Sequence, residues 1–147
     1  MQQRRGGDDL NGKTTNEVLE LEIPSFKMKE FPSMVKPHYD LISINIQSDV
    51  LVMSKRVELY KSLIKPVVSV EIYSKKAKTW THRYVEMKEQ FYYCITSFMS
   101  KLYLIGGWNV NESIFTSCCT YDISNNTLNK ITDLNVPRFH AACTVFT

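Results

Sequence analysis

Landmarks recur in this chain at intervals close to 50 residues. Gly106-Gly107 ends the apolar run KLYLI, and a second pair, Gly6-Gly7, stands 100 residues earlier. Ser54-Lys55 falls where a pair between them would lie, at offsets of 48 and 52. Tyr73-Ser74 and Tyr121-Asp122 are 48 apart, and Ile23-Pro24 lies 50 before Tyr73. Seven residues after each tyrosine comes a large apolar residue, Trp80 or Leu128, and Cys94 and Cys143 are 49 apart. A unit of this length cannot bury both its faces alone, so such a chain must stack repeats against one another.

Within the period the pattern is β. Short runs rich in Val, Ile, Tyr, Phe and Thr alternate with turn residues. They predict eleven strands near 18–23, 26–31, 39–46, 49–53, 67–73, 79–84, 91–97, 101–105, 116–121, 128–131 and 140–146. NEVLELEI has helical character, but Pro24 leaves too short a segment for a stable helix.

Composition narrows the function classes. An apolar fraction of 44% and an aromatic fraction of 12% can supply a core. The net charge of +3 comes from scattered basic residues with no concentrated patch, so no nucleic-acid partner is expected. No apolar run approaches the roughly 20 residues of a membrane helix. MQQRRGGDDLNGKTT is no secretory leader, so the expected location is cytoplasmic, away from membranes. Cys94, Cys118, Cys119 and Cys143 form no C-x-x-C pair and no zinc-ligand spacing. Buried free thiols in a reducing compartment are the expectation.

The order of elements resembles the kelch repeat: an Arg before a small-residue strand, an apolar strand ending in Gly-Gly, a strand ending Tyr-Asp, then a Trp strand. VPRFHAACTVF, KLYLIGG, TSCCTYDISNNTLNKI and VSVEIYSKKAKTWTHR supply these in turn. The resemblance covers Arg5 to Thr147, most closely over Lys101–Val145. It departs at Ser54-Lys55 for Gly-Gly, at Leu128 for Trp, at Pro24 for Asp, and at Lys88-Glu89 for Pro-Arg. It implies an all-β, partial kelch-type β-propeller of four-stranded antiparallel blades, in one partial domain over 1–147. The divisions are an incomplete blade at about 5–35, blades at about 36–87 and 88–135, and the first strand of a further blade at 136–147. Fewer than three blades cannot close a propeller. The chain is therefore expected to be a fragment, a truncated product or a partner-dependent piece.

Neither G-x-x-x-x-G-K-[ST] nor G-x-G-x-x-G is present, so the glycine pairs Gly6, Gly7 and Gly106, Gly107 take a structural role in leaving the strand. Tyr73, Trp80 and Tyr121 fall at regular repeat positions and should pack within and between blades, each Tyr hydroxyl finding a backbone partner. Cys118 and Cys119 should face opposite sides of their strand. His38, His82 and His140 lack the spaced partners a metal or general-base role needs. No enzyme activity and no metal or cofactor is expected.

Function is expected in the connections. The post-glycine loops are DDLNGKTTN, RVELYKSLIKP and WNVNESIF, and VKPHY and VPRFH lead into first strands. Candidate partner-binding residues are Arg56, Trp108, Asn109, Asn111, Glu112 and Arg138. Arg138 sits where kelch-like proteins present an arginine to an acidic partner, a role its planar fork suits, though it could equally pair with Asp133. Trp108 is an aromatic anchor candidate, with packing on a neighbouring blade as the competing role. The resemblance implies protein–protein recognition, as in substrate-recognition propellers of kelch-like adaptors for a Cullin-3 ubiquitin ligase. Those bind Cullin-3 through BTB and BACK domains that these 147 residues do not contain. Actin or cytoskeleton binding is the alternative. Galactose-oxidase-like copper chemistry needs a Tyr, His and Cys site that cannot be assigned here.

Overall fold

A computed structural model describes residues 12–38, 40–54, 67–87, 92–109 and 113–146. Among these there is no helix. Ten strands form three antiparallel sheets. β1 (Val18–Glu22) and β2 (Lys27–Phe31) make a hairpin. β3 (Leu41–Ile46), β4 (Asp49–Ser54), β5 (Val67–Ser74) and β6 (Thr79–Glu86) run up and down in sequence order. β7 (Cys94–Phe98), β8 (Lys101–Ile105), β9 (Cys118–Asp122) and β10 (Thr127–Lys130) repeat that arrangement.

The eleventh expected strand, 140–146, is not one. Among the described residues no neighbouring strand runs beside it, so its backbone has no ladder to join. It is held instead by the His140 N–H bond to the Tyr92 carbonyl, 3.3 Å, and by a disulfide from Cys143 to Cys94. That disulfide corrects the expectation of free thiols at both positions. Cys118 and Cys119 are free.

The repeat is written into the backbone. Residues with positive φ occur at Phe26, Lys78 and Asn126, with values of 55°, 57° and 55°. Each ends the four-residue turn joining the last two strands of its unit. At the first two, the N–H reaches back to Glu22 or Ser74, at 2.8 and 2.7 Å. Asp40, Tyr92 and His140 form a second series, at 52°, 50° and 49°. Gln47 and Met99-Ser100 turn β3 into β4 and β7 into β8 with the left-handed geometry that tight hairpins require. Both three-member series are spaced by 52 and then 48 residues.

Register decides what each sheet buries, because directly opposite residues share a face. Leu51, Met53, Val68, Val70 and Val85 lie on one face of the β3–β6 sheet. They form a single core with Ile95, Leu102, Leu104 and Tyr121 of the next sheet. The two sheets stack in parallel order, β3 beside β7 and β6 beside β10. The equivalent turns touch: Gln47 Nε2 donates to Ser100 Oγ at 2.9 Å. The other face of β3–β6 carries Val50, Val52, Ser69, Glu71 and Tyr73, and meets the hairpin through Phe31 on Tyr73.

Gly106 explains its own identity. Its φ is +65°, and an added Cβ would overlap the Arg138 carbonyl oxygen. The Gly107 N–H donates to that same oxygen at 2.6 Å. The pair lets the chain returning through 138 press against the end of β8.

Candidate functional site: a rim cluster and a buried carboxylate

The Gly107–Arg138 contact places the post-glycine loop and the segment before residue 140 on one edge. Trp108 leaves β8 half-buried and bridges Ile114 across its loop. Its indole lies parallel to the Tyr92 ring, centroids 6.1 Å apart. Tyr92 in turn contacts His140 at 4.5 Å, and His140 contacts Phe139 at 5.2 Å. Trp108 thus packs on the neighbouring segment with part of its surface open. Asn109 is committed to the loop itself: its N–H donates to the Ser113 carbonyl, and its Oδ1 accepts from the Ser113 N–H, both at 3.0 Å. Arg138 is exposed. Asp133, its competing partner, pairs instead with Lys130 at 3.2 Å. Trp108, Tyr92, His140 and Phe139 thus form a chain of ring contacts, with exposed Arg138 adjoining Phe139 in sequence. Arg56, Asn111, Glu112, Gly6 and Gly7 lie outside the described residues.

Tyr73 and Trp80 are cross-strand partners 5.3 Å apart. The Trp80 indole N–H reaches back to the Pro32 carbonyl at 2.7 Å. Tyr121 is fully buried, but its hydroxyl donates to a side chain, Asn126 Oδ1 at 2.9 Å, rather than to backbone. Asn126 passes the link on to the Tyr84 carbonyl of the neighbouring sheet at 2.9 Å. Cys119 faces the core between the sheets and Cys118 the opposite side. Burial, with the adjacent Cys118, pushes the Cys119 thiol up to about 11, so it is no nucleophile at neutral pH.

A second cluster has no counterpart in the sequence reading. Glu71, in the middle of β5, is 1% exposed, and its carboxylate accepts three hydrogen bonds. Two come from the Val35 and Lys36 N–H groups, at 2.7 and 2.8 Å. The third is to His38 Nε2 at 2.8 Å. Burial alone would raise this carboxyl, but the hydrogen bonds from His38, Val35 and Lys36, together with the charge of His38, hold it below the usual range. Ser69, on the same face of β5, bonds His82 at 2.8 Å. Burial and the nearby Lys36 ammonium push His82 down, so it is neutral at neutral pH. Lys36 Nζ itself donates to the Tyr84 hydroxyl at 2.6 Å.

Folding brings Glu71 to His38 and Ser69 to His82, hydrogen-bond partners that spacing along the chain does not supply. The cluster fastens segment 32–38 to the sheet behind it. No group of three or more potential metal ligands occurs among the described residues.

His38 and Arg138 are the same place in two units. The Met34 and His38 N–H groups bond the Asn16 and Thr15 carbonyls, and those of Leu134 and Arg138 bond Thr116 and Phe115. All four pairs are offset by 100 residues. The signal was legible as Pro37-His38 against Pro137-Arg138. One unit turns this position inward to a carboxylate, while the other leaves it exposed at the rim.

Compared with known proteins, the chain matches no protein-family model and no curated sequence. No helix among the described residues is long and apolar enough to cross a membrane.

Proposed function

We propose that the chain is a protein-recognition module, built as part of a kelch-type propeller, that captures a partner through its rim rather than catalysing a reaction. One observation carries the architectural half: left-handed residues recur at the same turn of three successive units, Phe26, Lys78 and Asn126, joined to a parallel stack of antiparallel sheets. Radial repetition of four-stranded sheets is what a propeller is made of. The recognition half rests on the rim. Arg138 is exposed on the segment whose backbone meets Gly107, the sequence neighbour of half-buried Trp108, and Arg and Trp are the side chains that most often dominate protein interfaces. A guanidinium selects carboxylates, so the partner carries an acidic segment flanked by an apolar residue. Substrate capture for a Cullin-3 ligase would be the role of a larger protein in which BTB and BACK domains accompany such a propeller.

Fluorescence anisotropy with labelled Asp/Glu-rich peptides bearing one Leu or Phe tests this on the full chain. The expected result is micromolar binding, weakened at least tenfold by Arg138→Glu and by Trp108→Ala and unchanged by Lys130→Ala. Equal binding of neutral peptides, or indifference to Arg138→Glu, would remove the rim reading.

A further inference from the structure

Tight turns join β1 to β2, β3 to β4, β5 to β6, β7 to β8 and β9 to β10. In each four-stranded sheet these turns share one end, because the strands alternate in direction. It is the end opposite the rim, since β8 runs from Lys101 there to Ile105 beside Gly106. Contacts tie the turns into one edge. Gln47 bonds Ser100 between the sheets, the Lys75 N–H donates to Asp49 Oδ1 at 3.1 Å, and the charge of Lys101 acts on Asp122. The turn at 23–26 joins this edge by the repeat. The Pro32 and Tyr84 carbonyls, 52 residues apart, each accept a bond from the following sheet, from Trp80 and from Asn126. The β1–β2 hairpin therefore sits on β3–β6 as β5–β6 sits on β7–β10.

This edge has an unusual surface. Among the described residues, three of the four most exposed large apolar side chains stand on its turns: Ile23 at 74%, Phe26 at 73% and Met99 at 78%. Lys27, Lys75, Lys76, Lys78 and Lys101 are exposed around them. The carboxylates of the edge are held locally. Glu22 pairs with Lys29 at 2.6 Å, Asp49 takes the Lys75 N–H, and Asp122 takes the Ser124 and Asn125 N–H groups at 2.8 and 3.1 Å. The five lysines thus leave the edge with a positive excess.

Apolar tips set among ammonium groups match the surface of a bilayer that carries anionic lipid. The tips enter the headgroup layer while the lysines stay at the phosphates. A protein partner is matched less well. Protein interfaces are enriched in arginine and depleted in lysine, and they gather apolar groups into one packed core. Here every exposed cation is a lysine, and the apolar tips stand on turns of different units.

We propose that this turn edge docks on a membrane surface rich in anionic phospholipid, with the rim at the opposite end of the sheets. Surface docking needs neither a leader nor a spanning run, the two features whose lack led to the expectation of a protein away from membranes. The proposal does not depend on the rim reading. Co-sedimentation of the full chain with vesicles tests it. Vesicles of three parts phosphatidylcholine to one part phosphatidylserine should capture the chain at least tenfold better than phosphatidylcholine alone. Capture should fall at least tenfold between 0.1 and 0.5 M NaCl. Lys75→Gln, Lys76→Gln and Lys78→Asn together should weaken it at least tenfold with unchanged β circular dichroism, and so should Phe26→Asn with Met99→Asn. Asparagine suits the left-handed backbone at residues 26, 78 and 99. Lys130→Gln, at the other end of β10, should change nothing. No capture, equal capture by neutral vesicles, or indifference to either set of substitutions overturns the proposal. Binding of soluble polyglutamate through the same lysines without vesicle capture would also overturn it and assign the edge to an acidic protein.

Discussion

Glu71 shows how one buried residue can govern a whole segment. Its carboxylate is the acceptor for Val35, Lys36 and His38, so Glu71→Ala strands two backbone donors and a histidine in the interior. The expected loss is roughly 3 kcal/mol, measurable by urea denaturation. The cluster also sets an acid limb. His82 and Glu71 both titrate below their ordinary values of 6.5 and 4.5, so as pH falls the unfolded chain takes up protons first. Stability should be full above about pH 6.5, decline below it through His82, and decline again below 4.5 through Glu71. Glu71→Gln should flatten the lower part of that profile. Gly106→Ala brings a Cβ onto the Arg138 carbonyl at a left-handed φ, and should cost about 2 kcal/mol in the same assay. Neither Glu71 nor its partners could be found by local spacing, because His38 and Glu71 are 33 residues apart. Only the three-dimensional stacking of segment 32–38 on β5 joins them.

At the scale of elements, strand positions were legible because alternation and turn chemistry are local. LISINI, VVSVEIYS and KLYLI each place one apolar set on the shared core. The segment 140–146 looked the same by composition, yet composition cannot supply a neighbour to pair with. The disulfide was misread for a different reason. Cys94 and Cys143 are equivalent positions in consecutive units, and in stacked sheets such positions are neighbours in space. The 49-residue spacing was itself the signal, outweighed by the expectation of a reducing compartment. Reduction, or Cys143→Ser, should lower stability by up to about 4 kcal/mol on the loop-entropy model, read as a fall in the denaturation midpoint with dithiothreitol.

For the whole molecule, the repeat decides more than any single contact. Two full sheets and a hairpin meet through equivalent elements, β3 beside β7, β6 beside β10, and Phe31 on Tyr73. The rim was partly legible in the sequence: Trp108 and Arg138 were singled out from loops far apart in the chain, and the Gly107–Arg138 contact sets them on one edge. The stacking of Trp108 on Tyr92 was not legible, since it depends on how tightly the returning chain presses against the glycines.

The link between Cys94 and Cys143 also has a mechanical meaning. It short-circuits the β7–β10 sheet, so tension applied at the chain's end passes directly to β7 without loading β8, β9 or β10. Stretched to full length, the oxidised chain would be shorter by the 49 residues the bridge spans, about 170 Å of contour. The sheet that carries the rim would be the part of the molecule that pulling could not unravel.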